Sequence, residues 1–149
     1  MTMQAVSVEA IRRTITVERP VEAAFRLFTE GIDTWWPVGT HSYGGDDVER
    51  TVFETRSGGR LYEVQKDGLE RDWAEVVAWE PPDRIVLAWK ICSPTEVEVR
   101  FVAQGNDTRV ELEHRGWENV SEERRAQRES YAGGWVQVLG TYESAATAA

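Results

Sequence analysis

The sequence predicts an α+β fold, in which one curved antiparallel sheet of about seven strands wraps around a long C-terminal helix and two short helices follow the first strand. Three observations lead to this prediction. Short apolar–polar alternations separated by turn residues run from residue 48 to residue 114. A helical periodicity follows Pro20, and a longer one follows Ser121. The apolar side of the last helix needs a cover, and the inner face of a sheet supplies one.

The first strand and the first helix are marked by a change of period. β-Branched residues alternate with polar ones over residues 11–17, which predicts a strand. Pro20 suits the first turn of a helix, because its missing N–H has no intrahelical partner there. The apolar residues that follow share one helical face: Val21, Ala24, Phe25 and Phe28. Gly31 is expected to end this helix, a second short helix is expected at 32–36, and a Gly-rich loop at 38–47.

The middle of the chain predicts a meander of six further strands. These are residues 49–55, 60–65, 73–79, 84–91, 95–102 and 109–114. Turn residues such as Asp67-Gly68 and Pro81-Pro82 separate neighbouring runs. Short connections at regular spacing favour antiparallel pairing of consecutive strands.

The C-terminal helix is predicted to begin after Ser121. A serine hydroxyl can accept a hydrogen bond from a free backbone N–H, and two acidic residues follow it. The apolar residues recur at helical spacing: Tyr131, Trp135, Val138, Leu139 and Tyr142. Gly133 and Gly134 each cost about 1 kcal/mol relative to alanine inside a helix. We therefore expect either a close approach of this helix to a bulky sheet residue such as Trp89, or room for a ligand.

Alternation along the strands assigns an inward face. In the fifth predicted strand the single lysine marks the solvent side, which turns Trp89 inward. In the last strand His114 shares the apolar face. The fourth strand is ambiguous, because inward-facing Trp73 and Trp79 would bring Glu75 with them. A buried carboxylate would then need a partner or a raised pKa.

Composition narrows the class of protein. The formal net charge of −9 argues against nucleic acid and against anionic membranes as partners. No apolar run approaches membrane-spanning length, and the first ten residues hold no apolar signal core. A single cysteine, Cys92, leaves no internal disulfide and favours a reducing compartment. We expect a cytoplasmic protein with one domain over residues 1–149, its core at about 11–143.

Seven tryptophans in 149 residues point to the space between sheet and helix. Aromatic side chains that converge there either line a cavity or fill it. The residues expected to line a ligand cavity are Trp35, Trp36, Trp73, Trp89, His114, Trp117, Tyr131 and Trp135. The tryptophans would form walls, and His114 and Tyr131 polar anchors. For His114 the favoured alternative is a core histidine bonded to a neighbouring backbone group or tryptophan N–H.

No catalytic residue, metal site or cofactor is predicted. His41, Asp46 and Asp47 are metal-ligand types without a recognised spacing. Their loop is more simply mobile and solvated, or else a cavity lid. The carboxylates most able to reach the sheet interior are Glu54, Glu63 and Glu75. Any of them could act as an acid or base, but no pairing signal supports that role.

Four segments together resemble one known family. Residues 77–89, VAWEPPDRIVLAW, are similar to its central hairpin, and residues 108–116, TRVELEHRG, to its last strand. Gly134-Trp135 resembles the Gly-Trp of its C-terminal helix, and residues 17–25, VERPVEAAF, also fit. The family is that of the activator-of-90-kDa-heat-shock-protein-ATPase-like proteins, within the START-like (SRPBCC) superfamily. The resemblance covers roughly residues 11–143.

The resemblance implies the helix-grip fold and a cavity that often holds an apolar ligand. The superfamily includes lipid carriers, hormone receptors, cyclases and cochaperone domains, so it does not transfer a ligand. We expect an apolar small molecule as partner. A chaperone-associated or other protein-interaction module is the second hypothesis, although the chain has no room for the eukaryotic activator's separate N-terminal chaperone-binding domain. A cyclase-like or hydrolase-like enzyme is the third. Monomer and homodimer both stay open.

Overall fold

A seven-stranded antiparallel sheet curls around a long C-terminal helix in the computed structural model, which describes residues 7–148. The strands are β1 (Ile11–Val17), β2 (Val48–Phe53), β3 (Arg60–Gln65), β4 (Glu70–Glu80), β5 (Arg84–Trp89), β6 (Thr95–Gln104) and β7 (Asp107–Arg115). Their order in the sheet is β1-β7-β6-β5-β4-β3-β2. Strands β2 to β7 thus form the predicted meander, and β1 pairs with its last strand. The predicted helix-grip fold is confirmed.

Three helices accompany the sheet in this part of the chain. They are α1 (Val21–Phe28), α2 (Glu122–Arg125) and α3 (Arg128–Ala148). Helix α1 buries Ala24, Phe25 and Phe28, which lie on the predicted face. The second short helix of the prediction is a single 3-10 turn at Ile32–Thr34, and further 3-10 turns lie at Gly45–Asp47 and Trp117–Asn119.

The C-terminal helix is broken near its start, where the sequence predicts continuity. The Ser121 hydroxyl accepts from the backbone N–H of Arg124 at 3.4 Å, as expected of an N-cap. However, α2 ends at Arg125 and α3 begins at Arg128. Helix α2 buries none of its residues. A charged turn without an apolar face gains no tertiary packing that would hold it in line with the next helix.

Long-range hydrogen bonds hold α3 against the sheet and α1. Arg13 from β1 donates to the backbone oxygen of Ala132 at 2.9 Å, and Arg19 donates to that of Ala146 at 2.8 Å. The fully buried Tyr142 donates its hydroxyl proton to the backbone oxygen of Ala24 at 2.7 Å. These bonds fix both ends of α3, which sets the distance between helix and sheet.

Two bulges in β4 resolve the ambiguity of that strand. In the pairing of β4 with β3, Trp73 is the extra residue without a partner. In the pairing of β4 with β5, the extra residue is Val77. Each bulge inserts one residue and breaks the two-residue alternation. Trp73 is therefore buried and Trp79 packs inward against Phe25 at 5.1 Å between ring centroids, while Glu75 points to solvent. The expectation that Glu75 follows the two tryptophans inward is wrong.

Glu98 lies on the outer face of the sheet and is nevertheless only 6 % exposed. Three guanidinium groups fold over it, those of Arg84, Arg100 and Arg115. Burial alone would raise the pKa of Glu98, but the hydrogen bonds from these arginines outweigh burial and lower the pKa to about 2. The outer face of β5–β7 is thus joined by a charge network.

Replacing Glu98 by glutamine is expected to lower the free energy of unfolding at pH 7 by about 1–2 kcal/mol. The lowered pKa alone corresponds to a larger free-energy difference. However, the Arg84 and Arg115 side chains are each 31 % exposed, so solvent screens their ion pairs with Glu98. A depressed carboxyl pKa stabilises above the ordinary value of 4.5, and this stabilisation is lost as the pH falls towards 2. Urea denaturation should show that the two proteins differ in free energy of unfolding by about half as much at pH 3 as at pH 7. A difference as large at pH 3 as at pH 7 contradicts this account.

Candidate functional site

A cavity of about 270 Å³ lies between the loop after Trp36, the end of β5 and the first half of α3. Its apolar walls are Trp36, Trp89, Ile91, Trp135 and Val138. Its polar side chains are Thr40, His41, Ser42, Tyr43, Ser130 and Tyr131. The lining therefore combines three indole rings with hydroxyl groups and one imidazole, and it contains no carboxylate, lysine or arginine.

Half of the residues expected to line a cavity do so. Trp36, Trp89, Tyr131 and Trp135 are in its walls. The other four are buried but do not line it: Trp35, Trp73, His114 and Trp117. Trp35 packs against Phe28 and Tyr142, and Trp73 packs against Trp36 at 5.0 Å between centroids. Ligand binding by any of the eight stays a prediction.

His114 is fully buried, and both of its ring nitrogens are used inside the protein. The indole N–H of Trp135 donates to Nδ1 at 3.0 Å. An indole nitrogen can only donate, so Nδ1 accepts and the ring proton is on Nε2. Nε2 then donates to the Thr95 hydroxyl at 2.8 Å, which donates to the backbone oxygen of Cys92 at 2.6 Å. This is the geometry of the core-histidine alternative.

Burial lowers the pKa of His114 to about 3, so the ring is neutral near pH 7. Aromatic rings surround it, with Trp117 at 4.6 Å and Tyr131 at 5.0 Å between ring centroids. His114 therefore orients Trp135, a wall of the cavity, from behind.

Tyr131 and Trp89 form a hydrogen-bonded pair in the cavity wall. The Trp89 indole N–H donates to the Tyr131 hydroxyl oxygen at 3.2 Å, and the Trp89 and Trp135 rings are 5.4 Å apart. Burial raises the pKa of Tyr131 to about 12, so the hydroxyl keeps its proton. Trp89 therefore packs against helix α3 and also lines the cavity.

His41 faces Gly134 of α3 across the cavity. A Cβ atom at position 134 would lie 3.6 Å from Nε2 of His41, whereas one at Gly133 would meet nothing within 4 Å. The contact is thus at Gly134 alone and is made with the loop, and the expected approach to Trp89 is wrong. The loop is part of the cavity wall.

Across residues 7–148, no three His, Cys, Asp or Glu side chains converge to hold a metal ion.

Glu63 is a buried carboxylate that fastens this loop to the sheet. It is fully buried on β3 and accepts four hydrogen bonds. The backbone N–H groups of Tyr43 and Gly44 donate at 2.8 and 2.9 Å. The Trp73 indole and the Gln65 amide donate at 2.8 and 2.9 Å. Burial by itself raises the pKa of Glu63, but these bonds outweigh it and lower the pKa below its ordinary value.

Sequence reasoning named Glu63 only as a potential acid or base and missed its role as a tether. Glu63 does reach the sheet interior, as predicted, but no pattern in the sequence indicated the loop N–H groups that it binds. None of the three carboxylates considered from the sequence lines the cavity. Glu54 accepts from the backbone N–H of Arg60 at 2.8 Å, and Glu75 is exposed.

A curled antiparallel sheet that grips a C-terminal helix, with a tryptophan-walled cavity beside that helix, defines a helix-grip protein. The chain belongs to the family described as Activator of Hsp90 ATPase homolog 1-like protein, whose sequence profile matches residues 18–144. The resemblance seen in the hairpin, last strand and C-terminal helix is confirmed. No curated protein matches the chain.

Solved structures share this fold over nearly the whole chain. CalC from Micromonospora echinospora, described as a self-sacrificing resistance protein, is 25 % identical, with 93 % of this chain and 94 % of that chain covered and a TM-score of 0.73. An AHSA1-like protein from Aeromonas hydrophila is 20 % identical, with 92 % of each chain covered and a TM-score of 0.62. CalU16 from Micromonospora echinospora is 18 % identical, with 90 % and 71 % covered and a TM-score of 0.58. The last two likenesses show the fold alone.

None of the helices within residues 7–148 is both long enough and apolar enough to cross a bilayer.

Proposed function

We propose that this protein binds a small apolar or aromatic molecule in the cavity between the loop after Trp36 and helix α3. The observation that carries the proposal is the cavity itself, whose walls include Trp36, Trp89 and Trp135. Apolar surface moved from water onto such walls contributes about 25 cal/mol per Å², from which the cost of immobilising the ligand is subtracted.

The cavity volume limits the size of the ligand. At about 270 Å³ it is larger than the roughly 150 Å³ cavities that hold benzene and slightly smaller than typical drug-sized pockets. A molecule of one to three fused rings matches this volume. The tryptophan rings favour aromatic ligands, because offset and edge-to-face ring contacts add to the area term.

We place this binding in the cytoplasm, because the single cysteine, Cys92, is free and buried. CalC is described as a self-sacrificing resistance protein, and for the present chain resistance to a small molecule is one use that such binding would have. Intact-mass measurement after exposure to a candidate ligand would reveal whether the chain itself is altered.

Leucine at Gly134 is expected to weaken the binding of a neutral aromatic probe, indane, by at least about tenfold. A side chain at position 134 enters the cavity towards His41, whereas one at Gly133 projects into open space. Both substitutions replace a helical glycine by the same better helix former, so Gly133→Leu is the matched control. Isothermal calorimetry with indane measures both variants and the unsubstituted protein. Equal affinities in the two variants, or no binding of indane or any other neutral aromatic probe by the unsubstituted protein, would contradict the proposal.

Association with a chaperone is the second candidate function, and the family description favours it. Large apolar side chains are exposed at Tyr43, Leu69, Val77 and Val136, on separate elements of the described structure. Titration of the purified 90-kDa chaperone with this protein tests the second candidate function. Gly134→Leu should leave binding to the chaperone unchanged, because the substituted side chain points into the cavity.

A further inference from the structure

The Tyr131 hydroxyl has a proton that the protein does not use. Its oxygen accepts from the Trp89 indole at 3.2 Å, and both residues line the cavity. No acceptor within residues 7–148 takes the hydroxyl proton in return. A hydroxyl that already accepts a hydrogen bond is polarised towards donating its own. The cavity wall therefore presents a donor beside three indole rings.

His41 supplies a second polar group on the opposite wall. Its Nδ1 is 2.7 Å from the Thr40 hydroxyl, and Nε2 has no partner among the described residues. The Thr40 hydroxyl proton has two acceptors in reach, Nδ1 of His41 at 2.7 Å and the backbone oxygen of Pro37 at 3.5 Å. When the nearer acceptor, Nδ1, takes this proton, the ring proton of His41 is on Nε2. Nε2 is also the atom nearest to Gly134, at the cavity side of α3. In this tautomer both walls offer N–H or O–H donors.

The side chains that line the cavity favour a neutral ligand. Its lining contains no carboxylate, ammonium or guanidinium group. A charged ligand would lose its hydration without gaining a counter-ion. The buried carboxylate of Glu63, which holds the loop, has all four of its hydrogen bonds committed to the protein.

We infer that the ligand is a neutral, planar aromatic molecule that carries one hydrogen-bond acceptor, such as an aryl ketone. Its rings lie among Trp36, Trp89 and Trp135, and its oxygen accepts from the Tyr131 hydroxyl, with Nε2 of His41 as the second donor. This inference rests on the proposed function and adds the polar group that the ligand must carry. A carbonyl oxygen that leaves water requires such a donor, because an unpaired buried acceptor opposes binding.

A matched pair of probes tests the inference. 1-Indanone and indane have the same ring system and differ in one carbonyl group. Tyr131→Phe removes the donor and keeps the ring. We expect it to weaken 1-indanone binding about tenfold and to change indane binding by less than about twofold, as measured by isothermal calorimetry. Tyr142→Phe is the control, because it removes a hydroxyl of the same helix that donates to Ala24 away from the cavity.

A second variant keeps the test decisive if Tyr131→Phe fails to fold. His41→Phe changes a partly exposed loop residue and removes the second donor. Selective loss of 1-indanone binding in either variant supports the inference, and selective loss in neither overturns it. Equal weakening of both probes also overturns it, because the hydroxyl would then only shape the wall. If the unsubstituted protein binds indane but not 1-indanone, the inference fails and the proposed function stands. If it binds neither probe nor any other neutral aromatic molecule, the proposed function fails as well.

Discussion

Acidification from pH 7 to pH 4 is expected to lower the free energy of unfolding by about 3 kcal/mol through His114 alone. The cause is the fully buried imidazole, whose pKa burial lowers from an ordinary value of 6.5 to about 3. Its surroundings are the Trp135 indole, the Thr95 hydroxyl and aromatic rings. None of these can stabilise an imidazolium cation as a counter-ion would.

The sign of the effect follows from proton binding. Between pH 3 and pH 6.5 the unfolded chain binds a proton at His114 and the folded protein does not. This proton therefore leaves the free energy of unfolding unchanged well above pH 6.5. The free energy of unfolding decreases as the pH falls from 6.5 towards 3. About 2 kcal/mol of the loss should occur by pH 5, where carboxyl groups are still ionised in the unfolded chain.

Urea denaturation at pH 7, 6 and 5 measures this dependence, with His114→Gln as the comparison. Glutamine does not titrate, so the variant should start less stable at pH 7 and lose about 2 kcal/mol less than the unsubstituted protein by pH 5. The two proteins differ at position 114 alone, so the comparison isolates the effect of His114. Identical pH dependences in the two proteins would show that His114 is not buried in its neutral form.

Replacement of Glu63 by glutamine is expected to lower the free energy of unfolding by about 2–4 kcal/mol. The carboxylate accepts four hydrogen bonds, and an amide NH₂ group can accept none. Each carboxylate oxygen accepts two of these bonds. The amide nitrogen would therefore leave without an acceptor either the Tyr43 N–H and the Trp73 indole, or the Gly44 N–H and the Gln65 amide. Each buried donor left without a partner costs about 1–3 kcal/mol.

The matched control is Glu75→Gln, because Glu75 lies on the exposed side of neighbouring strand β4. We expect that variant to stay within about 0.5 kcal/mol of the unsubstituted protein. Amide hydrogen exchange adds a local readout, since one of the two loop N–H groups, that of Tyr43 or that of Gly44, should exchange faster in Glu63→Gln. A Glu63 variant no less stable than the Glu75 variant, with unchanged exchange in the loop, would disprove the tether.

Local patterns predicted most of the secondary structure. Period-two alternation located β1 and β3 at the observed residues, and the helical face after Pro20 is the one that α1 buries. The inward direction of Trp89, which is buried, also followed from its alternation with Lys90, the next residue. These features depend on neighbouring residues in sequence, so periodicity is sufficient to find them.

The cavity was only partly predictable. The aromatic content indicated a space between sheet and helix, and four of the expected residues line it: Trp36, Trp89, Tyr131 and Trp135. The roles of His41 and Glu63 were not predictable, because they depend on where a loop of irregular backbone returns to the sheet. No periodicity describes such a loop.

The sequence by itself therefore determined the class of fold, the family and the aromatic character of the interior. Only the tertiary structure decided which residues meet at the cavity. The bulges of β4 separate Glu75 from Trp73, the loop brings His41 to Gly134, and His114 accepts the Trp135 indole proton. Each of these outcomes depends on strand register or on contacts between distant segments. The free energy that favours them is gained only when the whole chain packs together.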